Sequence, residues 1–195
     1  EYGEDRKIIN LSDIKIPGMH NVENYLAAIA AVSGYVAPEI MREVAKKFGG
    51  VEHRIEFVRE LHGVKWYNDS IATSPTRAIA GLLSFNRPII MLAGGYDKKI
   101  PFEPLVPYLV RYVKTLILCG TTAQKIEDAV KSSPEFATCE MKILRVKDIP
   151  EAVQTAYRIA QAGDIVSLSP ACASFDAYPN FEARGKHFKE LVNAL

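Results

Sequence analysis

The pattern of hydrophobic and polar positions changes at the Gly49-Gly50 pair. After it, strand-like residues 54–61 and 64–67 flank a His62-Gly63 turn and predict a β-hairpin. Beyond the hairpin, short apolar runs alternate with stretches whose apolar residues recur at helical spacing. This alternation indicates a mostly parallel sheet that is covered by helices on both faces. The predicted strands after the hairpin are 88–93, 113–119, 141–146 and 164–168. One predicted helix begins at Ser74-Pro75, and four more cover residues 102–112, 122–131, 151–161 and 181–192.

Residues 1–50 have a different pattern. A strand-like run at residues 7–9 is followed by Val22, Leu26 and Ile29 at helical spacing, which predicts a helix over residues 21–33. Pro38 suits the first turn of a second helix, and the paired glycines stop that helix near residue 47. We therefore predict two parts, residues 1–50 and residues 51–195.

Composition and charge narrow the class of protein. A hydrophobic share of 48% is enough for a complete core, and a net charge of +1 gives no electrostatic reason to expect nucleic acid or a membrane as partner. The three cysteines have no metal-ligand spacing and suit a reducing compartment, so we expect a cytoplasmic protein without disulfides. The chain begins Glu1-Tyr2-Gly3 without an initiator methionine, so we expect a piece of a longer protein.

Four polar clusters follow predicted strands, at residues 68–76, 94–99, 120–122 and 169–176. Because the carboxyl ends of parallel strands meet at one edge of a sheet, these clusters should lie side by side. The first is the richest, with one carboxylate, one amide and four hydroxyl groups. From the residues alone, this edge could bind a small anion such as a carboxylate.

Each cluster also has a purely structural interpretation. Ser74-Pro75 is a good helix start, Thr121-Thr122 suits another N-cap, and Lys99 suits a solvated side chain. Cys172 has no histidine near it in the sequence, which argues against a nucleophile. The sequence contains no Gly-x-x-x-x-Gly-Lys-Ser/Thr phosphate loop, no Gly-x-Gly-x-x-Gly after a strand and no zinc-protease motif. The residues alone leave both interpretations open.

Taken in order, five blocks resemble the Mur ligase family. They are His20-Asn21-Val22-Glu23-Asn24, His53-Arg54, Asn68-Asp69-Ser70-x-Ala72-Thr73, Gly94-Gly95-x-x-Lys98 and Ser169-Pro170-Ala171-Cys172-Ala173-Ser174-Phe175-Asp176. The last block continues to Asn180-Phe181-Glu182-x-Arg184-Gly185 and is similar to the D-glutamate-adding branch of the family. The resemblance runs from Gly18 to the end of the chain.

The resemblance implies a fold and an activity. Mur ligases combine a domain for the UDP-sugar substrate, a central ATPase domain with a phosphate loop, and a C-terminal Rossmann-like domain. Residues 1–50 would then be the tail of the central domain. Residues 51–195 would be the C-terminal amino-acid-binding domain, an α/β Rossmann-like, doubly wound and mostly parallel sheet with an N-terminal β-hairpin.

The implied reaction is ATP-dependent amide formation between D-glutamate and UDP-N-acetylmuramoyl-L-alanine through an acyl phosphate, in peptidoglycan precursor synthesis. The Mg²⁺ that accompanies ATP would be held mostly outside this chain, and this part alone would be inactive.

The resemblance also implies roles for individual residues, with no catalytic residue and no metal ligand assigned. Nucleotide-binding roles fall on Asn21 and Asn24 near the adenine, Arg54 at the phosphates and Asp69 at the ribose hydroxyls. The D-glutamate pocket would comprise Thr73, Lys98, Ser174, Phe175 and Phe181. Ile71 departs from the pattern, because some members carry lysine there, so this pocket would have one cation fewer.

Two alternatives stay open. One is another ligase of the same superfamily, although the Asp-Asn-Pro-Arg block of the diaminopimelate- or lysine-adding ligases is missing and folylpolyglutamate synthetases lack the 169–176 block. The other is an isolated module that binds an amino acid or a nucleotide without any activity of its own.

Overall fold

The structure is a computed structural model that describes residues 7–16 and 18–195. The chain divides after Gly50 into two compact units, and each is described by itself. None of the helices in this described part has the length and apolar character needed to cross a bilayer.

The first unit is helical. It contains a 3-10 turn at Leu11–Asp13, helix α1 at Met19–Val32 and helix α2 at Pro38–Lys47. The hydroxyl of Tyr25 donates to the carbonyl of Ala45 at 3.3 Å, which ties α1 to α2. The strand-like run at residues 7–9 is no strand, because the carbonyl of Ile8 accepts a hydrogen bond from the Arg42 side chain instead of a strand partner.

The second unit is built on a six-stranded sheet with the order β1-β2-β6-β3-β4-β5. Strand β1 pairs with β2 in the antiparallel direction, and every other pair is parallel. All strands predicted after Gly50, including the hairpin, are present. The strands are β1 Glu56–Leu61, β2 Val64–Asn68, β3 Ile89–Ala93, β4 Val113–Leu118, β5 Lys142–Arg145 and β6 Ile165–Leu168.

Helices cover both faces of this sheet. They are α3 Pro75–Leu83, α4 Val106–Tyr112, α5 Ala123–Lys131, α6 Ile149–Ile159 and α7 Phe181–Asn193, with 3-10 helices at Glu103–Leu105 and Pro134–Thr138. In β3, Ile89 and Met91 pack in the hydrophobic cluster that contains residues of α3, α4 and α5. Ile90 and Leu92 point to the opposite face, where α6 and α7 pack. A fully apolar strand is therefore buried on both sides, as the continuous run predicts.

The structure changes the predicted extent of two helices. The helix predicted at 102–112 is divided into a 3-10 turn and α4, each with a proline in its first turn. The helix predicted at 151–161 begins earlier, at Ile149, because the Asp148 side chain accepts a hydrogen bond from the Glu151 amide at 3.0 Å and caps the helix.

The direction in which the chain leaves the sheet reverses around β6. Strand β6 lies between β2 and β3. The chain leaves β2 and β3 towards the α3 and α4 face, whereas it leaves β6 towards the α7 face. Such a reversal between neighbouring strands is a topological switch point, where ligands bind in open α/β sheets.

Candidate functional site

The loops that follow β2, β3, β4 and β6 are joined at this edge. The Gly94 amide donates to the Pro170 carbonyl at 2.9 Å, and Tyr96 forms an antiparallel bridge with Ala173. The Thr122 amide donates to the Gly95 carbonyl at 3.1 Å. The four polar clusters therefore belong to one connected surface, as the sequence predicts.

Gly94 and Gly95 make this close approach possible. Their φ angles are 109° and 146°. A Cβ atom on Gly94 would lie 1.9 Å from the Cys119 carbonyl oxygen, and one on Gly95 would lie 2.4 Å from the Ala173 carbonyl oxygen. Only glycine fits at either position.

Thr122 fastens the loop after β4 to these glycines. Its hydroxyl accepts a hydrogen bond from the Gly95 amide at 3.0 Å and lies 3.2 Å from the Cys172 sulfur. Thr122 is the N-cap residue of α5, as predicted, but its side chain makes no capping hydrogen bond because the hydroxyl contacts Gly95 and Cys172 instead. Ser74 likewise precedes α3 without a capping side-chain hydrogen bond.

Cys172 is a structural residue. Burial raises the pKa of its thiol to about 11, against a smaller lowering by the Thr122 hydroxyl. The protonated thiol at neutral pH is a poor nucleophile, in agreement with the sequence-based interpretation.

Arg184, in the first turn of α7, holds the site together and was given no role from the sequence. It is buried, with 2% of its surface exposed. Its Nε and Nη2 atoms donate to the hydroxyl and carbonyl of Ser70 at 3.0 and 2.9 Å. The guanidinium also donates to the carbonyls of Cys172 and Ala173 at 3.0 and 3.1 Å. One side chain thus fixes the loops after β2 and β6 relative to α7.

Burial lowers the pKa of Arg184 to about 10, so the side chain remains a cation at neutral pH. Its hydrogen bonds go to carbonyl and hydroxyl oxygens, and none goes to a carboxylate of the described residues. Arginine tolerates burial with neutral acceptors better than lysine does, because its charge is spread over a planar group with five donors.

Asp69 lies buried at the end of β2. One carboxylate oxygen accepts from the Ser169 hydroxyl at 3.0 Å, and the other accepts from the Ile55 amide at 3.3 Å. Burial raises the carboxyl pKa to about 7, and the two hydrogen bonds and the charges of Arg54 and Arg77 oppose that rise. Near neutral pH this carboxyl is therefore partly protonated.

Arg54 lies in a short turn that is anchored to the same loop. Its neighbours His53 and Ile55 have positive φ angles of 65° and 46°. The His53 carbonyl accepts from the Ile71 amide at 3.2 Å, and the Ile55 amide reaches Asp69. The exposed Arg54 side chain therefore projects from a backbone that is fastened on both sides.

The residues assigned to a D-glutamate pocket lie on three adjacent segments. Thr73 follows β2 and is half-buried, Lys98 follows β3 and is exposed, and Ser174 follows β6 and is buried. The exposed Phe175 ring packs edge-on against Tyr96, with the centroids 5.9 Å apart. Phe181 begins α7, and its carbonyl accepts a hydrogen bond from the Ser70 hydroxyl.

The two remaining assigned residues belong to the first unit. Asn21 and Asn24 lie in the first two turns of α1, and Asn24 Nδ2 donates to Asn21 Oδ1 at 3.4 Å.

Glu52, His53 and Glu56 are the one group of potential metal ligands found among the described residues. Lys189 Nζ lies 2.6 Å from Glu52 and 2.9 Å from Glu56, and Asn68 Nδ2 donates to both His53 Nδ1 and Glu56. Protein donors therefore already occupy these acceptors. The group does not fit Mg²⁺, which prefers an octahedral set of oxygen ligands.

Comparisons with known proteins agree with the resemblance. The family model described as "Mur ligase, glutamate ligase domain" matches residues 53–172. The chain is 52% identical over 192 residues to UDP-N-acetylmuramoylalanine–D-glutamate ligase of Clostridium botulinum strain Hall, and 54% identical over 194 residues to that of Clostridium beijerinckii. These alignments cover 98% and 100% of this chain. The chain spans 42% of the length of each relative.

Solved structures support the fold. UDP-N-acetylmuramate-alanine ligase from Thermotoga maritima superposes with a TM-score of 0.66 at 18% identity, covering 93% of this chain and 39% of that chain. A bifunctional folylpolyglutamate synthase/dihydrofolate synthase from Yersinia pestis, in complex with AMPPNP and Mn, gives 0.61 at 15% identity, covering 91% and 40%. The predicted Rossmann-like α/β fold is confirmed. Since the family model covers more than half of the chain, this chain belongs to the Mur ligase family through its glutamate ligase domain.

Proposed function

We propose that the protein is an ATP-dependent amide ligase that joins D-glutamate to UDP-N-acetylmuramoyl-L-alanine during peptidoglycan precursor synthesis. The observation that carries this proposal is the identity of 52–54% to D-glutamate ligases over nearly the whole chain. Because the chain spans 42% of those relatives, we assign the activity to a complete protein in which this chain supplies the glutamate-binding part.

We assign D-glutamate to the loops beside β6 at the carboxyl edge of the sheet. The substrate carries two carboxylates, which need a cation and neutral donors. Lys98 offers the cation, and Thr73 and Ser174 offer hydroxyl groups from the neighbouring loops. Phe175 and Phe181 would enclose the aliphatic part of the substrate and exclude water. Arg184 would position these segments without touching the substrate, since its donors already bind protein oxygens.

The nucleotide would lie against the loop after β2. Arg54 offers a planar fork that suits phosphate oxygens, and Asp69 offers an acceptor for the ribose hydroxyls. Each carboxylate oxygen of Asp69 accepts one hydrogen bond from the protein and has capacity for another. Asn21 and Asn24 would contact the adenine.

In the proposed reaction, ATP transfers its terminal phosphoryl group to the alanyl carboxylate. The amine of D-glutamate then attacks the carbonyl carbon of this acyl phosphate, the amide bond forms and inorganic phosphate leaves. The residues of this chain orient the amine and balance negative charge, which are contributions of positioning and electrostatics. Mg²⁺ bound with ATP would neutralise phosphate charge. We place its ligands mostly outside this chain, because the Glu52, His53 and Glu56 group does not fit it.

We propose a cytoplasmic location, which the three free cysteines favour.

The function is tested by assaying the full-length gene product for phosphate release that requires ATP and both other substrates. D-Glutamate should support turnover, whereas L-glutamate, lysine and diaminopimelate should not. Preference for one of the latter amino acids, or for a folate substrate, would favour another ligase of the family. Binding without any turnover would favour the isolated binding module.

A further inference from the structure

We propose that Arg77 is a second phosphate-binding arginine, which acts together with Arg54 on the nucleotide. Arg77 lies in α3 and was assigned no role from the sequence. The inference rests on the proposed function, because it concerns the same nucleotide site.

The position of Arg77 in its helix is the first reason. Helix α3 begins at Pro75, so Arg77 lies in the first turn. The positive end of the helix dipole disfavours a cation there, and acidic residues are preferred. The Ser74 side chain makes no capping hydrogen bond, so this helix end adds positive potential to the same edge. A bound anion would offset the unfavourable interaction between the Arg77 charge and the N-terminus of α3.

The geometry of the side chain is the second reason. Arg77 Nη1 donates to the Ile71 carbonyl at 3.3 Å, so the guanidinium folds back over the loop after β2 instead of extending away from it. Ile71 itself contributes no charge. Arg77 therefore brings a cation to the backbone of the loop that carries Asp69.

The third reason is that Arg77 and Arg54 converge. Arg77 Nη1 donates to the Ile71 carbonyl, and the Ile71 amide donates to the carbonyl of His53, the residue before Arg54, so both arginines are fastened to one residue. The charges of both guanidinium groups also lower the pKa of the buried Asp69 carboxyl. Neither forms a salt bridge with a carboxylate among the described residues. Both are exposed, so their charges are available to a ligand.

A phosphate chain fits this arrangement better than the carboxylates of glutamate do. Two arginines and a helix N-terminus match the several negative charges that the ATP phosphate chain carries on adjacent groups. Planar guanidinium groups match phosphate oxygens with paired hydrogen bonds. The carboxylates of glutamate have a separate cation, Lys98, on the loop after β3.

The test uses steady-state kinetics of the full-length protein with Arg77→Gln and Arg77→Lys. We expect Arg77→Gln to raise the KM for ATP about tenfold, the size of one lost charge-assisted hydrogen bond, and to change the KM for D-glutamate less than about twofold. Arg77→Lys should recover part of the loss, because it keeps the charge without the fork. A structural role alone would not separate the two KM values.

Arg87→Gln is the matched control. It removes the same charge at an exposed position before β3, at the opposite edge of the sheet, and should leave both KM values unchanged. Equal effects of Arg77→Gln and Arg87→Gln on the KM for ATP would overturn the proposal, as would a larger rise in the KM for D-glutamate. Failure of the proposed function is a different result, namely no D-glutamate-dependent turnover in the unaltered protein.

Discussion

At the scale of single residues, Asp69 couples the site to pH. Burial raises its carboxyl pKa to about 7 from an ordinary value of 3.8. Between these values the unfolded chain has released the proton while the folded protein still holds it, so the folded state loses stability as pH rises. Above pH 7 the loss is complete.

We therefore expect Asp69→Asn to gain stability relative to the unaltered protein as pH rises. The difference in free energy of unfolding should change by about 3 kcal/mol between pH 5 and pH 8, because the amide does not titrate. Denaturant titrations at several pH values measure this difference. Parallel stability curves for the two proteins would show that the Asp69 carboxyl titrates normally.

Lys98 is the residue that tests the glutamate pocket. In the full-length protein, Lys98→Ala should raise the KM for D-glutamate about tenfold or more, since a charged hydrogen bond is lost, and change the KM for ATP much less. Lys99→Ala removes the same charge from the next, also exposed, position and should have little effect. A similar rise in both KM values for Lys98→Ala would remove this lysine from the pocket.

The sequence could point to Lys98 and Ser174 because each lies in a polar block directly after an apolar run. Their roles stay predictions. Arg184 carried no such signal, since arginine is mostly exposed in proteins and its burial here depends on contacts with Ser70 and Cys172, far away in the sequence. A residue whose environment is assembled from distant segments is not recognisable from local pattern.

At the scale of elements, the loop after β3 depends on close backbone contact. Gly94→Ala places a methyl group against the Cys119 carbonyl, in addition to the strain of its positive φ. Gly163→Ala has a similar φ, 92°, but no atom within 4 Å of the new methyl group. The pair therefore separates steric contact from backbone strain.

We expect Gly163→Ala to cost about 1–2 kcal/mol of unfolding free energy. Gly94→Ala should cost at least about 2 kcal/mol more, because backbone atoms must move. Chemical denaturation of both variants measures the two costs. Equal destabilisation would mean that the loop after β3 relaxes freely around the methyl group.

The elements were largely predictable where the pattern is long and apolar. Strand β3 is buried on both faces and was recognisable from its continuous run. The first and last residues of the helices were less predictable, because they depend on local chemistry. Examples are the Asp148 cap of α6 and the prolines that divide residues 102–112. The 3-10 helix Pro134–Thr138 is too short to give a periodic signal.

At the scale of the whole molecule, the chain divides after Gly50, where the paired glycines lie. The parallel sheet followed from alternating strands and helices. The antiparallel edge followed from the short hairpin turn at His62-Gly63, which cannot join parallel strands. The assignment of residues 1–50 to a central ATPase domain is still a prediction.

The 195-residue chain by itself should neither hydrolyse ATP nor form the amide, because its sequence contains no phosphate loop. We expect phosphate release at the level of a blank in the presence of ATP, Mg²⁺ and D-glutamate. Adding the preceding part of the gene product should restore turnover. ATP hydrolysis by the isolated chain would contradict this assignment of roles.

The hydrogen bonds of Arg184 have a consequence for engineering. Three of its acceptors are backbone carbonyls, which every residue type provides. Neighbouring side chains at positions such as Thr73 and Phe175 can therefore be exchanged without removing an acceptor from this arginine. A library that varies those positions and keeps Ser70 and Arg184 retains the scaffold, so its members can be selected for acceptance of other amino acids.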